Sequence, residues 1–310
     1  MKLSFVIPVL NEEESLGILY SEIKENIQSV CEAYEIIFID DGSTDNSFCI
    51  LKGLAEKDSN IKVIKFRKNF GKSAALNIGF RHSSGDVVFT LDADLQDDPG
   101  EISAFIIKIN EGWDIVTGWK VKRNDPLSKR IPSKLFNYVV SKSFGLKLHD
   151  YNCGFKAYKS SVLHEIDIYG EMHRYIPALA YAKGFKITEI PVNHRARSYG
   201  KSKFGAERYV HGCLDLLTVK LVTRFNRSPL YLFGGIGAAL SGTGFLLSLH
   251  LTILRIFYGM FLTNRPLLFL AMLLIIVGLQ FISIGLIGEL LVNQTRKFNK
   301  NDNVSIEEII

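Results

Sequence analysis

Two long uncharged stretches near the end of the chain constrain its folding more than any other feature. They span 230–254 and 267–288 and contain no Lys, Arg, Asp or Glu. A helix of roughly 20 apolar residues crosses the hydrocarbon core of a bilayer. We therefore expect two transmembrane helices, the alternative being two buried helices of a soluble core. The first stretch is rich in glycines that suit close helix packing in lipid: Gly234, Gly235, Gly237, Gly242 and Gly244.

Strand and helix signals alternate along the residues before these stretches. Apolar strands are predicted at 4–10, 35–40, 61–66, 86–91 and 114–118. Helical patterns are predicted between them, at 12–28, 46–57, 72–81 and 99–110. Such alternation is typical of βαβ units. We therefore expect an α/β domain with a Rossmann-like, mostly parallel sheet and helices on both faces.

The chain is expected to divide into four segments. The α/β domain is placed at 1–203, and an amphipathic segment that lies in the membrane interface at 204–228. The two membrane helices are placed within 229–292, and a tail follows at 293–310. Glycines along the membrane helices also allow a homo-oligomer to form through them.

Basic residues around the membrane helices predict on which side of the membrane the α/β domain lies. Lys220, Arg224 and Arg227 precede the pair and Arg296, Lys297 and Lys300 follow it, whereas only Arg255 and Arg265 lie between the helices. Lys and Arg are enriched in cytoplasmic segments, so the chain ends are expected in the cytoplasm. The sequence runs from Met1 directly into a strand without a basic n-region, which predicts no signal peptide. We expect a multi-pass inner-membrane protein with a cytoplasmic α/β domain.

Composition and missing motifs exclude several classes of function. The net charge of +5 is modest and no basic tract is interleaved with aromatic residues, so nucleic acid is not an expected partner. The four cysteines show no metal-ligand spacing, which indicates a reducing compartment. No Gly-x-Gly-x-x-Gly follows the first strand and no P-loop motif occurs. Both absences argue against a dinucleotide cofactor and a P-loop ATPase.

Two carboxylates follow the predicted strand at 86–91. Asp92 and Asp94 point to the same face, because side chains alternate along a strand. Unpaired buried charge is costly, so such a pair is a poor core element. It is a good site for a hard divalent cation that also holds phosphate oxygens. The alternative is a solvated, Asp-rich turn.

Polar residues also follow the other predicted strands, and ligands of parallel sheets bind beyond the carboxyl ends of the strands. Asp40 and Asp41 can accept from a base N–H or a ribose hydroxyl, although Asp-Gly-Ser is also a turn signal. We favour ligand contact for Asp41 and leave both interpretations open for Asp40. Arg67 and Lys72 supply positive charge for a diphosphate, and Lys72 is otherwise a solvated lysine in a first helical turn. A nucleoside diphosphate is the expected ligand.

The motifs at 7–12, 40–45, 69–72 and 92–97 resemble those of family 2 glycosyltransferases with the GT-A fold. Two further motifs, at 150–156 and 197–203, resemble those of membrane-anchored polyprenyl-phosphate glycosyltransferases of the dolichol-phosphate mannose synthase type. The paired membrane helices are similar to those of the bacterial undecaprenyl-phosphate glucosyltransferases. The resemblance covers roughly residues 3–292.

This resemblance implies an inverting, metal-dependent transfer of a sugar from a nucleotide sugar to a polyprenyl phosphate for cell-envelope glycosylation. UDP-glucose is the expected donor, undecaprenyl phosphate the expected acceptor and Mg²⁺ or Mn²⁺ the expected cofactor. A separate flippase is expected to take up the product. GDP-mannose is the alternative donor. A processive polysaccharide synthase would carry more membrane helices and a Gln-x-x-Arg-Trp motif, and a non-catalytic scaffold would have lost acidic positions.

The resemblance also implies roles for individual residues. Asp94 and Gln96 would hold the metal, and Asp150 would act as a base or orient the acceptor, unless it is a loop or helix-cap aspartate. Nucleotide-sugar contacts are implied for Pro8, Asn11, Glu12, Asp40, Asp41, Arg67, Lys72 and Asp92. Acceptor-phosphate contacts are implied for Arg123, Arg130, Lys156, Arg197, Lys201 and Lys203, the first two in a polar loop expected at 122–134. The family often has Arg where this chain has Lys156. Lysine keeps the positive charge but lacks the planar guanidinium that makes bidentate contacts.

Overall fold

The chain divides into two compact units, Met1–Val219 and Lys220–Ile310. The computed structural model describes residues 1–28, 30–121, 127–166, 168, 172–196, 229–259, 261 and 266–298. The segment at 204–228 and most of the tail lie outside these residues, so the amphipathic helix and the boundaries of the tail stay predictions.

Seven strands form one sheet within the described part of the first unit. They are β1 (Lys2–Val9), β2 (Ala33–Asp40), β3 (Ile61–Lys65), β4 (Val87–Thr90), β5 (Ile115–Lys120), β6 (Lys156–Lys159) and β7 (Ile187–Val192). Their order is β3-β2-β1-β4-β6-β5-β7. All neighbouring strands are parallel except β6, which is antiparallel to β4 and β5. The predicted mostly parallel sheet is confirmed, whereas β6 and β7 were not predicted.

Helices connect the strands in the expected alternation. They are α1 (Leu16–Ile27), α2 (Ser47–Lys57), α3 (Lys72–His82), α4 (Ile102–Asn110), α5 (Leu127–Phe144), α6 (Ser160–Glu165) and α7 (Ile176–Ala182), with 3₁₀ turns at Pro99–Glu101 and Met172–Tyr175. The start of α1 at Leu16 is later than the predicted residue 12. The N–H groups of Glu12 and Glu13 instead donate to Ser47 Oγ (2.9 Å) and Asp45 Oδ2 (3.3 Å).

The prediction of a polar loop at 122–134 is wrong from residue 127 onward. This part of the chain belongs to α5, so Arg130 lies on a helix. Phe136, Val140 and Phe144 recur at every fourth residue and pack against one core of the domain. Their spacing is a helix signal, and the Lys and Ser residues around them obscured it.

Side chains of the strands enter two apolar cores, one on each face of the sheet. Phe5 and Ile7 of β1 belong to the core covered by α1, α2 and α4. Val6 belongs to the core covered by α3, α5 and α7. A strand buried on both faces is typical of a parallel sheet with helices on both sides. The predicted packing of helices on both faces is confirmed.

Within the described part of the second unit, two helices, α8 (Pro229–Tyr258) and α9 (Pro266–Phe298), are long and apolar enough to cross a membrane. Their backbones approach closely at small residues. A Cβ added at Gly237 would lie 2.5 Å from the carbonyl oxygen of Gly278, and one added at Gly244 would lie 2.6 Å from that of Ala271. Glycines therefore permit this packing, as in other membrane helix pairs.

Candidate active site

The carboxyl ends of β1, β2 and β4 meet at one edge of the sheet, here called the carboxylate edge. Val9 of β1 pairs with Asp40 of β2, and Val6 pairs with Thr90 of β4. Acidic residues follow at once, Asp41 after β2 and Asp92 after β4. Ligands of such sheets bind at this end of the strands.

Asp92 forms an ion pair with Lys72 at the carboxylate edge. The Lys72 ammonium, in the first residue of α3, donates to Asp92 Oδ1, and both side chains are partly exposed. Burial acts to raise the pKa of Asp92, but the charges of Lys72, Lys120 and Lys156 outweigh burial, so the pKa is lowered. Asp92 is therefore an ionised carboxylate at neutral pH.

Gly154 lies against the carboxylate of Asp92. A Cβ at this position would lie 2.5 Å from Asp92 Oδ2 and 2.8 Å from Oδ1, closer than side-chain atoms approach. The Gly154 carbonyl accepts from Thr90 Oγ1 at 2.7 Å. The segment before β6 thus packs directly against the Asp92 carboxylate.

Asp94 and Gln96 lie in a tight turn beyond Asp92. Asp94 Oδ1 accepts from the Gln96 N–H at 3.2 Å. Leu95 between them has φ +59°, in the left-handed region, and its side chain is buried. Left-handed backbone at a residue other than Gly costs energy and is found most often at functional sites. Asp94 and Gln96 are both partly exposed, so their oxygens can reach a ligand.

Asp40 and Asp41 have different surroundings. Both oxygens of Asp41 accept from the loop after β3, from Phe70 N–H (2.7 Å) and Gly71 N–H (3.0 Å). Burial raises its pKa, in opposition to these bonds. Asp40 Oδ1 accepts from Ser43 N–H at 2.9 Å, while its buried Oδ2 has no hydrogen-bond partner within the described part of the chain. Asp41 therefore holds the loop, and Asp40 keeps an acceptor for a ligand.

The loops after β1 and β2 are tied together by Asn11. Its Oδ1 accepts from Thr44 N–H at 2.7 Å, and its N–H donates to Ser43 Oγ at 3.0 Å. Asn11 has φ +49°, the second left-handed position other than Gly within the described residues. Pro8 lies inside β1, and Arg67 is exposed just after β3. The residues predicted to contact a nucleotide sugar thus all lie at or next to the carboxylate edge.

Asp150 lies in the loop that leads into β6. Its Oδ1 accepts from Asn152 N–H at 3.0 Å. Asn137 of α5 holds the neighbouring residues, because its Nδ2 donates to the His149 carbonyl (2.7 Å) and its Oδ1 accepts from Tyr151 N–H (3.4 Å). The side chain is fully buried, so Asp150 is a fixed carboxylate rather than a solvated loop residue.

A small, partly open cavity lies beside the Asp92–Lys72 pair. Its walls include Lys72, Asn152, Gly154, Lys156, His173 and Arg174. The buried Lys156 ammonium donates to the Cys153 carbonyl, and burial together with the charge of Lys72 lowers its pKa. The cavity is thus lined by several cationic side chains next to an ionised carboxylate.

His173 contributes a neutral ring to this cavity. Its backbone N–H donates to Ser73 Oγ at 3.1 Å, and its ring Nδ1 lies 2.9 Å from the same hydroxyl oxygen. Burial and the charges of Lys72 and Arg174 lower the pKa of His173 well below its ordinary value. Sequence reasoning missed His173 and Arg174, whose one signal was a basic pair before an apolar helix.

The sequence profile of the family described as "Glycosyl transferase family 2" matches residues 4–167, more than half of the chain. The chain belongs to glycosyl transferase family 2. The matched range contains Asp40, Asp92, Asp94, Asp150 and Lys156.

Two relatives of this glycosyltransferase are similar over nearly its whole length. Dodecaprenyl-phosphate galacturonate synthase of Rhizobium johnstonii is 32% identical over 314 residues, which cover 100% of this chain and 93% of that protein. Undecaprenyl-phosphate 4-deoxy-4-formamido-L-arabinose transferase of Salmonella choleraesuis is 37% identical over 290 residues, which cover 93% of this chain and 87% of that protein. The glycosyltransferase is thus similar to polyprenyl-phosphate sugar transferases.

Solved structures establish the fold of the glycosyltransferase. Glucosyl-3-phosphoglycerate synthase from Mycobacterium tuberculosis, in complex with Mn²⁺, uridine diphosphate and phosphoglyceric acid, matches with a TM-score of 0.55 at 17% identity. The match covers 72% of this chain and 78% of that chain. The first unit therefore has the GT-A fold, as the sequence predicts.

Several residues predicted to bind the acceptor of this glycosyltransferase lie outside the described residues: Arg123, Arg197, Lys201 and Lys203. The backbone of Arg130 is part of α5, but its side chain is not among the described ones. Lys156 is the one predicted acceptor residue whose side chain is described, and it lies at the cavity.

Proposed function

We propose that this glycosyltransferase moves a sugar from a nucleotide-sugar donor to the phosphate of a polyprenyl lipid. The observation that carries the proposal is the carboxylate edge, where an ionised Asp92, the Asp94–Gln96 turn and a cation-lined cavity lie side by side. Two membrane-length helices in the same chain suit a lipid acceptor. The relatives named for dodecaprenyl and undecaprenyl phosphate support the same substrate class.

Asp94 and Gln96 would hold Mg²⁺ or Mn²⁺. Their carboxylate and amide oxygens are the hard donors that these cations prefer. Among the described residues, no group of three or more His, Cys, Asp or Glu side chains is placed to hold a metal. The remaining ligands would thus be diphosphate oxygens and water, as is usual for Mg²⁺. When bound, the cation stabilises negative charge on the leaving nucleoside diphosphate.

Donor recognition falls to the loops around Asp40. Its buried Oδ2 accepts from a base N–H or a ribose hydroxyl, which supplies the missing hydrogen bond. Asp41 acts through the loop that it holds, since this loop carries the exposed Arg67 and ends at Lys72. Asp92 faces the ribose and the sugar.

The acceptor is a phosphate monoester, whose second pKa is about 6, so it is already largely dianionic at neutral pH. Direct attack on the anomeric carbon therefore does not need a strong base, and the reaction proceeds with inversion. Asp150 orients the acceptor from its fixed position before β6. Lys156, with Arg123, Arg130, Arg197, Lys201 and Lys203, receives the phosphate.

UDP-glucose is the proposed donor, with GDP-mannose as the alternative. The relatives are named for galacturonate and 4-deoxy-4-formamido-L-arabinose. The donors tested therefore include nucleotide-linked uronate and amino-pentose sugars. The test incubates the full chain in detergent with undecaprenyl phosphate, Mn²⁺ and each nucleotide sugar separately. Mass spectrometry of the lipid fraction identifies the product.

We expect one sugar-phosphate lipid, with the β-anomer formed from an α-linked donor. Asp94→Asn should lose at least 100-fold in turnover. Glu111 is exposed at the C-terminal end of α4, so Glu111→Gln should behave like the parent. Excess EDTA should abolish turnover. Activity that persists in EDTA would contradict the metal role, and an anomeric coupling constant that indicates retention would contradict the mechanism. No lipid product from any donor would refute the function.

The catalytic unit is proposed to lie in the cytoplasm, where it uses lipid phosphate of the inner leaflet. A membrane-impermeant thiol reagent applied to whole cells should label a single cysteine placed at Thr263 but not one placed at Ser305. The opposite labelling would reverse the topology.

A further inference from the structure

The chain after β7 is joined to the metal loop, defined here as residues 94–98. Asp97 and His194 form an antiparallel bridge. The Arg195 N–H donates to the Gln96 carbonyl at 3.0 Å, and Gln96 Nε2 lies 3.5 Å from the Arg195 carbonyl. A backbone and a side-chain hydrogen bond of Gln96 therefore connect the two segments.

The Arg195 guanidinium strengthens this connection. Its Nη1 donates to both carboxylate oxygens of Glu22 on α1, at 2.8 and 2.7 Å. Its Nη2 donates to Asp98 Oδ1 at 2.9 Å, and Asp98 Oδ2 also accepts from Asn193 Nδ2 at 3.4 Å. Planar, two-pronged contacts of this kind give Arg a geometric precision that Lys lacks. One side chain thus holds the metal loop, α1 and the segment after β7 together.

These contacts bear on the orientation of Gln96 and the conformation of Leu95. The Gln96 amide nitrogen is directed at the Arg195 carbonyl, so its Oε1 is turned away from that carbonyl. The left-handed backbone of Leu95 persists only where its surroundings hold it. The contacts at 96–98 hold the C-terminal side of that residue.

We propose that Arg195 is a positioning residue that holds the metal loop in its metal-binding arrangement. By joining residues 96–98 to 193–195 and to Glu22 of α1, it keeps Asp94 and Gln96 in the positions from which they would hold the cation. This inference rests on the proposed function, which assigns the cation to Asp94 and Gln96. Loss of Arg195 should weaken binding of the cation.

Three variants separate this role from general stability. Arg195→Ala removes all the guanidinium contacts, and Arg195→Lys keeps the charge but cannot serve Glu22 and Asp98 with the same geometry. Glu22→Gln weakens the α1 contact alone. Lys108→Ala is the matched control, because it breaks an ion pair with Glu111 on the surface away from the metal loop.

The experiment uses the purified full chain in detergent and two measurements. The first is the rise in Tm caused by Mn²⁺ with UDP, which does not depend on turnover. The second is the Mn²⁺ concentration at half-maximal turnover. For Arg195→Ala we expect the Mn²⁺ concentrations at half-maximal Tm rise and at half-maximal turnover both to increase at least tenfold. Arg195→Lys and Glu22→Gln should give intermediate values, and Lys108→Ala should match the parent.

The outcomes distinguish this inference from the proposed function. If Arg195→Ala lowers the Tm but leaves both Mn²⁺ concentrations unchanged, Arg195 is merely structural and the inference is wrong. Should that variant fail to fold, unchanged values in Glu22→Gln and Arg195→Lys would overturn it equally. A normal Mn²⁺ response in Asp94→Asn would instead contradict the proposed metal site.

Discussion

The Lys72 ammonium donates to Asp92 Oδ1, which joins the first residue of α3 to the carboxylate that follows β4. From the sequence, Lys72 was expected to face a diphosphate. The ion pair shows that Lys72 also acts on Asp92, because the charge of Lys72 opposes the effect of burial and helps to lower the Asp92 pKa. The two roles are compatible, since both place the ammonium at the carboxylate edge.

Lys72→Met should raise the pKa of Asp92, because only the charges of Lys120 and Lys156 then oppose the effect of burial. A carboxyl with a lowered pKa stays ionised as the pH falls, so the parent should keep its kcat/KM further into acid. We expect the acid limb of the kcat/KM profile to move to higher pH in the variant, with at least a tenfold loss at pH 7. Lys24→Met, which affects the distant Asp58 pair, should leave the acid limb unchanged. Coincident acid limbs for Lys72→Met and the parent would argue against the assignment.

Gly154→Ala should reduce turnover more than stability. The added methyl group must displace the Asp92 carboxylate, which lies less than 3 Å from its position. A tenfold or greater loss in kcat with a Tm change of a few degrees is expected. Gly17→Ala in α1 is the matched control, since its Cβ meets no atom within 4 Å. Equal kcat values for the two variants would show that the Asp92 position is not critical.

Arg197→Ala and Lys203→Ala should each raise the KM for the lipid acceptor about tenfold, because both side chains are predicted from the sequence to bind its phosphate. The Tm should stay nearly unchanged, since a surface charge contributes about 0–1 kcal/mol to stability. Kinetics at limiting undecaprenyl phosphate test this directly. Lys57→Ala, an exposed lysine in the last turn of α2, serves as the charge-matched control. Parent-like turnover by both variants under these conditions would remove residues 197–203 from the acceptor site.

Glu35→Gln should destabilise the catalytic unit in a pH-dependent manner. Glu35 accepts from Ser4 Oγ (2.6 Å), Ser84 N–H (2.6 Å) and Lys62 Nζ (2.7 Å). Burial acts to raise its pKa, but these bonds lower it to about 2. The carboxylate therefore stabilises the fold fully above the unfolded pKa of about 4.3, and this stabilisation is lost as the pH falls toward 2.

Denaturant midpoints between pH 2 and 7 measure this effect. Above pH 5 the variant should be less stable by about 1–3 kcal/mol, which is the usual cost of disrupting a buried, charged hydrogen-bond group. The difference should shrink at lower pH. Glu25→Gln, exposed on α1, should show no pH-dependent difference. A constant difference over the whole range would mean that charge is not involved.

Gly278→Leu should separate α8 from α9. A side chain at this position meets the backbone of Gly237 and Ser241. We expect a lower Tm in detergent and loss of lipid-dependent activity in membranes. Gly235→Leu adds the same side chain where the built Cβ meets nothing within 4 Å, so it should be tolerated. Equal Tm values for the two variants would contradict close packing at Gly278.

The sequence predicted the parts of the site that follow regular strands. Asp40, Asp92 and Asp94 were identified because each comes directly after an apolar run, and parallel strands end at a common edge. β6 was missed because it has four residues and two of them are lysines. Lys156 is buried in the structure, which is unusual for a lysine and which the sequence pattern does not indicate. Pairings such as Arg195 with Glu22 span 173 residues, a separation that no local pattern reveals.

The position of β6 also orders the assembly of the fold. β6 lies between β4 and β5, although both are synthesised before it, so a nascent chain that has not yet reached Lys156 carries two unpaired strand edges in the middle of its sheet. Open edges of this kind attract other strands and favour aggregation. Gly154 and Asp150 directly precede this strand, so pairing of β6 with β4 and β5 closes these edges and also brings both residues to the carboxylate edge.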